Sequence, residues 1–216
     1  MSDNSLLVLE NITFGYAGMP ALFTDLCFAL RAREQIGLYG TNGSGKTTLL
    51  RLVMGLETPQ KGRILFHGAP VDDEPSFHRL RCSIGFVLQN SDDQLFSPTV
   101  LEDVAFGPLN LGLKRREAKD RAMETLESMG LAAYAHRQTH RLSGGEKKMV
   151  SIASVLSMRP EALLLDEPTA FLDNESKDKI IRILQSQDIA RIVVSHDKEF
   201  LEQTACSLVC INNGKM

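Results

Sequence analysis

Missing from this 216-residue sequence is any apolar run long enough to span a bilayer. Its longest apolar-looking stretches, ALLLD (162–166) and MVSIASVLSM (149–158), fall far short of the roughly 20 residues that a membrane helix needs. Work at a membrane would therefore go through docking on something else. Also missing is a basic surplus: 24 Lys and Arg stand against 27 Asp and Glu, for a net charge of −3. A nucleic-acid surface leaves clustered excess Lys and Arg. Arg115-Arg116 and Lys147-Lys148 are only short pairs inside helical patterns, and they read as solvated helix faces. Cysteine is scarce, at Cys27, Cys82, Cys206 and Cys210, with no C-x-x-C pair. These read as reduced, mostly buried thiols of a cytosolic protein, not as a disulfide framework or a metal site. The spacing of Cys206 and Cys210 would suit one face of a strand. No signal-peptide pattern, repeat or low-complexity linker is present. What remains, 43% hydrophobic and 24% charged, suffices for one domain, or one domain with a subdomain.

Short apolar runs alternate with helical patterns. Candidate strands are 6–14, 34–40, 62–66, 83–89, 161–166, 190–196 and 207–212. Several are rich in Val, Ile and Leu with little alternation, as expected of strands covered on both faces. KTTLLRLVMG after the second strand and DNESKDKIIRILQSQ after the fifth read as helices, the latter capped by Asp173. Strands separated by helices imply a mostly parallel sheet. From about 99 to 158 only helix signals occur. Ala118, Ala122, Leu126 and Met129 share one face there, Gly130 terminates that helix, and Met123 and Met129 read as core filler. The expected architecture is an α/β core, about 1–98 and 159–216, with an inserted helical subdomain at about 99–158.

Residues Gly40 to Thr47 fit G-x-x-x-x-G-K-[ST] between an apolar strand and a helix, the context that makes this motif specific. Backbone N–H groups of such a loop, through Asn42, Gly43, Ser44 and Gly45 and on to Thr48, cradle a β-phosphate. Lys46 reaches the β- and γ-phosphates, and the Thr47 hydroxyl ligates Mg²⁺. ALLLD-Glu167 is an apolar strand ending in two carboxylates. Asp166 would hold Mg²⁺, and Glu167 would polarise a water for attack on the γ-phosphorus. Gln89 and His196 end two further strands, where ligands of parallel sheets gather. A glutamine there can touch Mg²⁺ and the attacking water, and a histidine the γ-phosphate. A second glycine pair, Gly144-Gly145, opens another helix and makes a second candidate anion site.

Leu142-Ser143-Gly144-Gly145-Glu146, shortly before Asp166-Glu167-Pro168, resembles the signature of the ABC ATPase superfamily. Tyr16, the loop at 40–47, Gln89, the signature, Asp166-Glu167, Leu172-Asp173 and His196 follow that family's order along nearly the whole chain. The resemblance implies a P-loop NTPase of the ABC type, a mostly parallel core with antiparallel edge strands and the helical insert. It implies that Tyr16 stacks on adenine and that Ser143 and Gly145 contact a γ-phosphate. It further implies that Asp173 helps join two subunits and that ATP and Mg²⁺ are bound. In that family two subunits pair head to tail, each signature closing over the other's ATP, which explains two anion sites in one chain.

The stretch from Gln89 to Leu113, above all 90–96 and Glu102-Asp103-Val104-Ala105-Phe106-Gly107-Pro108, is similar to the energy-coupling-factor ATPases, which drive uptake of cobalt, nickel and vitamins. This implies an integral membrane coupling subunit and a substrate-binding membrane subunit as partners, at the cytoplasmic face of the cell membrane. No nucleic acid is expected. Leu95, Phe96, Phe106, Leu109 and Leu111 are candidates for apolar grip on the membrane partner. The second ATPase subunit is either another copy or a paralogue. A non-transport ABC ATPase of DNA repair or translation is the alternative. The gap before the signature lacks room for a long coiled coil, and one phosphate loop argues against a tandem factor. Phe171, in TAFLD, stands where the family usually has a small residue. The chain ends at Lys215-Met216, where many relatives continue.

Overall fold

Two sheets of different kind face each other across a shared core. The computed structural model of the chain describes residues 5–212, 214 and 215. In chain order the elements are β1 Ser5–Phe14, β2 Phe23–Arg31, β3 Gln35–Tyr39, α1 Lys46–Val53, β4 Lys61–Phe66, β5 Ala69–Pro70, α2 Glu74–Ser83 and β6 Ile84–Val87. Then come α3 Val100–Asn110, α4 Arg115–Ser128, α5 Gly144–Leu156, β7 Ala162–Asp166, α6 Asn174–Gln185, β8 Ala190–Val194, α7 Lys198–Thr204 and β9 Ser207–Cys210.

β1, β2, β4 and β5 form an antiparallel sheet in the order β2-β1-β4-β5. The parallel sheet runs β6-β7-β8-β3-β9. The expected antiparallel strands thus form a sheet of their own and do not edge the parallel one. β7 and β8 are buried at every residue. Their side chains alternate between two cores, as the period of a strand requires. Ala162, Leu164, Ile192 and Val194 join the cluster shared with the antiparallel sheet and α1. Leu163, Leu165 and Val193 join the cluster under the helices.

Between β6 and β7 the described residues hold helices and one isolated bridge, Thr99–Gln138. Ala118, Ala122 and Leu126 of α4 are buried, and Met123 and Met129 pack beside them. Gly130 takes a positive φ of 70° after that helix. α3 begins on a capping box: Thr99 N donates to Glu102 Oε2 at 3.2 Å, and Glu102 N to Thr99 Oγ1 at 3.4 Å. Asp103 accepts from the backbone N–H groups of Phe96 and Ser97. This ties down the turn that leaves Phe96 exposed.

The cysteine expectation fails in part. Cys27, Cys206 and Cys210 are exposed and Cys82 is half-buried. Cys27 and Cys210 belong to strand positions that face outward, and Cys206 precedes β9 instead of sharing its face. Of the basic pairs, Arg115 and Arg116 are exposed. Lys148 is not: only 3% of it is accessible.

Candidate functional site

The carboxyl ends of β3, β6, β7 and β8 open on one cleft of about 500 Å³. Tyr16, Asn42, Gly43, Gly45, Lys46, Thr47, Thr48, Gln89, Glu167 and His196 all line it, together with Met19 and Leu22. β3 enters the phosphate loop, and α1 leaves it from Gly45, whose φ is 104°. No side chain caps this helix, so its first N–H groups stay available to an anion. Lys46 is buried, and its Nζ donates to the carbonyls of Gly40 at 2.9 Å and Thr41 at 3.1 Å. The amine is thereby held within the curve of the loop. Ser44 is buried as well, and its hydroxyl has no partner among the described residues.

Thr47 Oγ1 donates to Asp166 Oδ1 at 3.1 Å. Burial raises the Asp166 pKa, opposed by that hydrogen bond and by Lys148 and Lys46. Glu167 follows at a positive φ of 46°. Its Oε2 accepts from His196 N at 3.3 Å, and its Oε1 lies 3.2 Å from His196 Nε2. The latter pair does not meet hydrogen-bond geometry, so Oε1 stays buried without a hydrogen-bond partner. Burial raises the Glu167 pKa against the pull of His196, moving the carboxyl toward neutral pH, where a base is most effective.

Tyr16 is 41% exposed and stands edge-on to Phe14, with ring centroids 5.0 Å apart. Its hydroxyl is 3.2 Å from Thr48 Oγ1, a tie to α1 that its sequence context did not reveal. Thr48 is otherwise buried.

The remaining predicted residues form a second group outside the lining of this cleft. Ser143 caps α5: its Oγ accepts from Glu146 N at 3.3 Å, while Ser143 N donates to Glu146 Oε2 at 2.7 Å. That backbone bond holds the Glu146 pKa down. Gly144 is exposed with nothing within 4 Å of a would-be Cβ. Gly145 sits directly against Ser176 of α6. Asp173 caps α6, accepting from Ser176 N at 2.8 Å, and this lowers its pKa. The N-termini of α5 and α6 therefore lie side by side. Phe171, shortly before α6, is fully exposed at a positive φ of 62°, a conformation that favours glycine.

Sequence reasoning missed the side chains that join α5 to the segment after Gln89. Lys148 Nζ donates to Leu88 O at 2.8 Å and Gln89 O at 2.7 Å. Burial pushes its pKa down to about 8, against the pull of Asp166. A lysine pair on a helix reads as solvated, and only the tertiary position of these two carbonyls turned Lys148 inward.

An apolar patch lies apart from the cleft. Phe96, Phe106 and Leu109 are exposed, and the two phenyl rings meet edge-on at 4.7 Å. Leu95 packs partly into the core under the helices, and Leu111 is half-buried.

A family model described as ABC transporter matches residues 23–170. The energy-coupling factor transporter ATP-binding protein EcfA of Methanothermobacter thermautotrophicus is 42% identical over 98% of this chain and 69% of its own length. The nickel import ATP-binding protein NikO of Rhodobacter capsulatus is 42% identical over 96% of this chain and 86% of its own. The solved structure of cbiO1 from Clostridium perfringens, described as part of the ABC transporter complex cbiONQ, superposes with a TM-score of 0.88. It is 33% identical and covers 99% of this chain and 87% of that one.

Proposed function

The chain belongs to the ABC transporter ATP-binding family, an ATPase family, and on that premise we propose that it drives an energy-coupling-factor importer. Its cargo would be a transition metal ion, cobalt or nickel, or a vitamin. The similarity to a nickel import protein supports the first of these. The observation that carries the reading is the cleft itself, where an uncapped helix N-terminus, a buried lysine and a buried glutamate oxygen without a hydrogen bond converge.

The phosphates of ATP would lie on the N–H groups of the loop from Asn42 to Thr48, with Lys46 moving from its loop carbonyls to the β- and γ-oxygens. Tyr16, with its open ring, would stack on adenine. Oxygen donors alone, the Thr47 hydroxyl and one Asp166 carboxylate oxygen, meet at 3.1 Å. Among the described residues no cluster of three or more His, Cys, Asp or Glu could hold a metal ion. That set fits Mg²⁺, which takes one or two carboxylates and fills its shell from phosphates and water. Thr47, Asp166 and Gln89 would hold the ion, whose charge neutralises the phosphate oxygens. Glu167 Oε1 would take a proton from a water in line with the γ-phosphorus. His196, beside Glu167, would donate to the γ-phosphate.

Ser143, Gly144, Gly145 and Asp173 would serve the nucleotide of a second ATPase subunit, since they do not line this chain's own cleft. The patch of Phe106 and Leu109, in the helical subdomain at about 99–158, and of Phe96 just before it, would grip an integral membrane subunit. A further membrane subunit would bind the cargo. Among the described residues no helix is long and apolar enough to cross a membrane, in keeping with a peripheral motor on the cytoplasmic face.

Glu167→Gln tests the chemistry. Hydrolysis is expected to fall about 10²–10⁴-fold while ATP binding persists. Near wild-type turnover would remove Glu167 as the base. The proteins that co-purify from detergent-solubilised membranes test the transporter, and DNA or ribosomes in their place would overturn it.

A further inference from the structure

Residues 88–94 leave the end of β6 and are held to α5 along their length. Lys148 binds the carbonyls of Leu88 and Gln89. Gln94 closes the other end: its Oε1 accepts from Leu88 N at 3.0 Å, and its Nε2 donates to Ser151 O at 2.8 Å and Ser154 Oγ at 3.1 Å. Between them Lys147 Nζ meets Asp92 Oδ1 at 2.5 Å. Lys147 and Asp92 are partly exposed and weakly coupled by comparison. Lys148 is the informative one. A lysine that is 3% accessible and bonded to two neutral carbonyls is costly to bury, and the attraction of Asp166 offsets that cost only in part, since burial still holds its pKa down. A methionine would fill the same volume without that cost, so packing alone does not account for an ammonium here.

We propose that Lys148 is a positioning residue for hydrolysis, which with Gln94 fastens the backbone of Gln89 to the signature helix. Gln89 then takes its place in the cleft from α5 as well as from β6. Ser143 stands five residues before Lys148, about 7 Å along the helix axis. Whatever shifts the signature end of α5 shifts Gln89 with it, in the same chain's own cleft. One chain thus links the partner's phosphate, at Ser143 and Gly145, to its own attacking water, beside Gln89. The inference rests on the functional reading given above for Gln89 and the signature.

The test compares steady-state ATP hydrolysis and ATP affinity for the full chain and its Lys148→Met, Lys148→Arg and Gln94→Met variants. Lys148→Met is expected to lower kcat about tenfold with KM and the ATP dissociation constant within about twofold. Lys148→Arg can still donate to both carbonyls and is expected to recover most of the loss. Gln94→Met is expected to lower kcat in the same way, and it decides the matter should Lys148→Met fail to fold. An unchanged kcat in the folded variants overturns the proposal. So does an arginine variant no better than methionine, or a KM that rises in step with the loss. Absence of hydrolysis by the unsubstituted chain would instead count against the ATPase site itself.

Discussion

The N-termini of α1 and α5 both open on glycine and both turn the positive end of a helix dipole outward, yet they are closed differently. At α1 no side chain caps the helix, and Lys46 adds a buried positive charge. At α5 Ser143 and Glu146 cap each other reciprocally, so a carboxylate already occupies the end of the dipole. The first end is built to hold a highly charged anion by itself. The second is satisfied by its own residues and, in Ser143, keeps a hydroxyl proton that the cap does not use, since Oγ accepts there. On the function proposed above, a chain with one open end and one self-capped end would bind nucleotide alone at the first and engage phosphate at the second only when another subunit brings it.

The strongest way to break this contrast uses one lesion at each end, in the Glu167→Gln background so that bound ATP persists. Lys46→Ala is expected to abolish nucleotide binding. Ser143→Arg is expected to leave the binding of ATP by the single subunit within about twofold and to abolish ATP trapped in the dimer. In mixed dimers of the two variants, isolated through different tags, one intact loop meets one intact signature, and about half the trapped nucleotide should return. No trapped nucleotide there, with a trapping unmutated control, sinks the composite arrangement.

Glycine substitutions sharpen it at a smaller scale. At Gly45 the backbone has φ 104° and a Cβ would lie 2.5 Å from the buried Phe23 ring. Gly45→Ala is expected to cost about 2–4 kcal/mol of stability along with nucleotide binding. At Gly145 a Cβ meets the Ser176 hydroxyl, which can rotate away, and comes within 2.9 Å of the Ser176 Cβ, which a small shift of α6 must relieve. Gly145→Ala should melt within a few degrees of the unsubstituted chain, about 1 kcal/mol, yet trap ATP poorly in the dimer. Equal melting temperatures for the two variants would mean that the two ends are not built differently.

The smallest effects belong to the rim of the open end. Tyr16→Ala should weaken ATP by about 2–12-fold, the worth of a stacked ring. Tyr16→Phe keeps the ring and loses only the contact with Thr48 Oγ1, so its cost should stay below about 1 kcal/mol. Titration calorimetry separates these. A larger loss in the phenylalanine variant would make the hydroxyl, not the ring face, the main contributor.

The parallel sheet was legible because its inner strands are covered on both faces and read as apolar runs. Those at 34–40, 161–166 and 190–196 correspond to β3, β7 and β8, each shorter by one to two residues than the apolar pattern. β2 was missed. FTDLCFALR carries Asp25 at a positive φ and a terminal arginine, and half its residues face solvent, so no continuous run appears. α2 was missed as well, since EPSFHRLRCS buries only Ser76 and Leu80. In the site, motif spacing led to the residues around the loop, because phosphate chemistry restricts which side chains can stand there. It could not lead to Lys148 or Gln94. Across to the other element they meet mainly backbone carbonyls 57 to 60 residues away, and such groups are the same in every sequence.

The order β6-β7-β8-β3-β9 seats the strand that enters the phosphate loop between two strands from the far end of the chain. Gln35–Tyr39 pairs with Arg191–Val194 on one side and with Ser207–Cys210 on the other. During synthesis, β3 therefore emerges long before either neighbour exists, and the sheet structure that can form early is the antiparallel one of β1, β2, β4 and β5, all within residues 5–70. The strand that carries the loop Gly40–Thr47 lacks both of its parallel neighbours until residues 190–210 are made. Closure of the proposed nucleotide site would thus wait on strands made from residue 190 onward, and a chain interrupted before them carries a recognisable loop on a strand without its parallel neighbours.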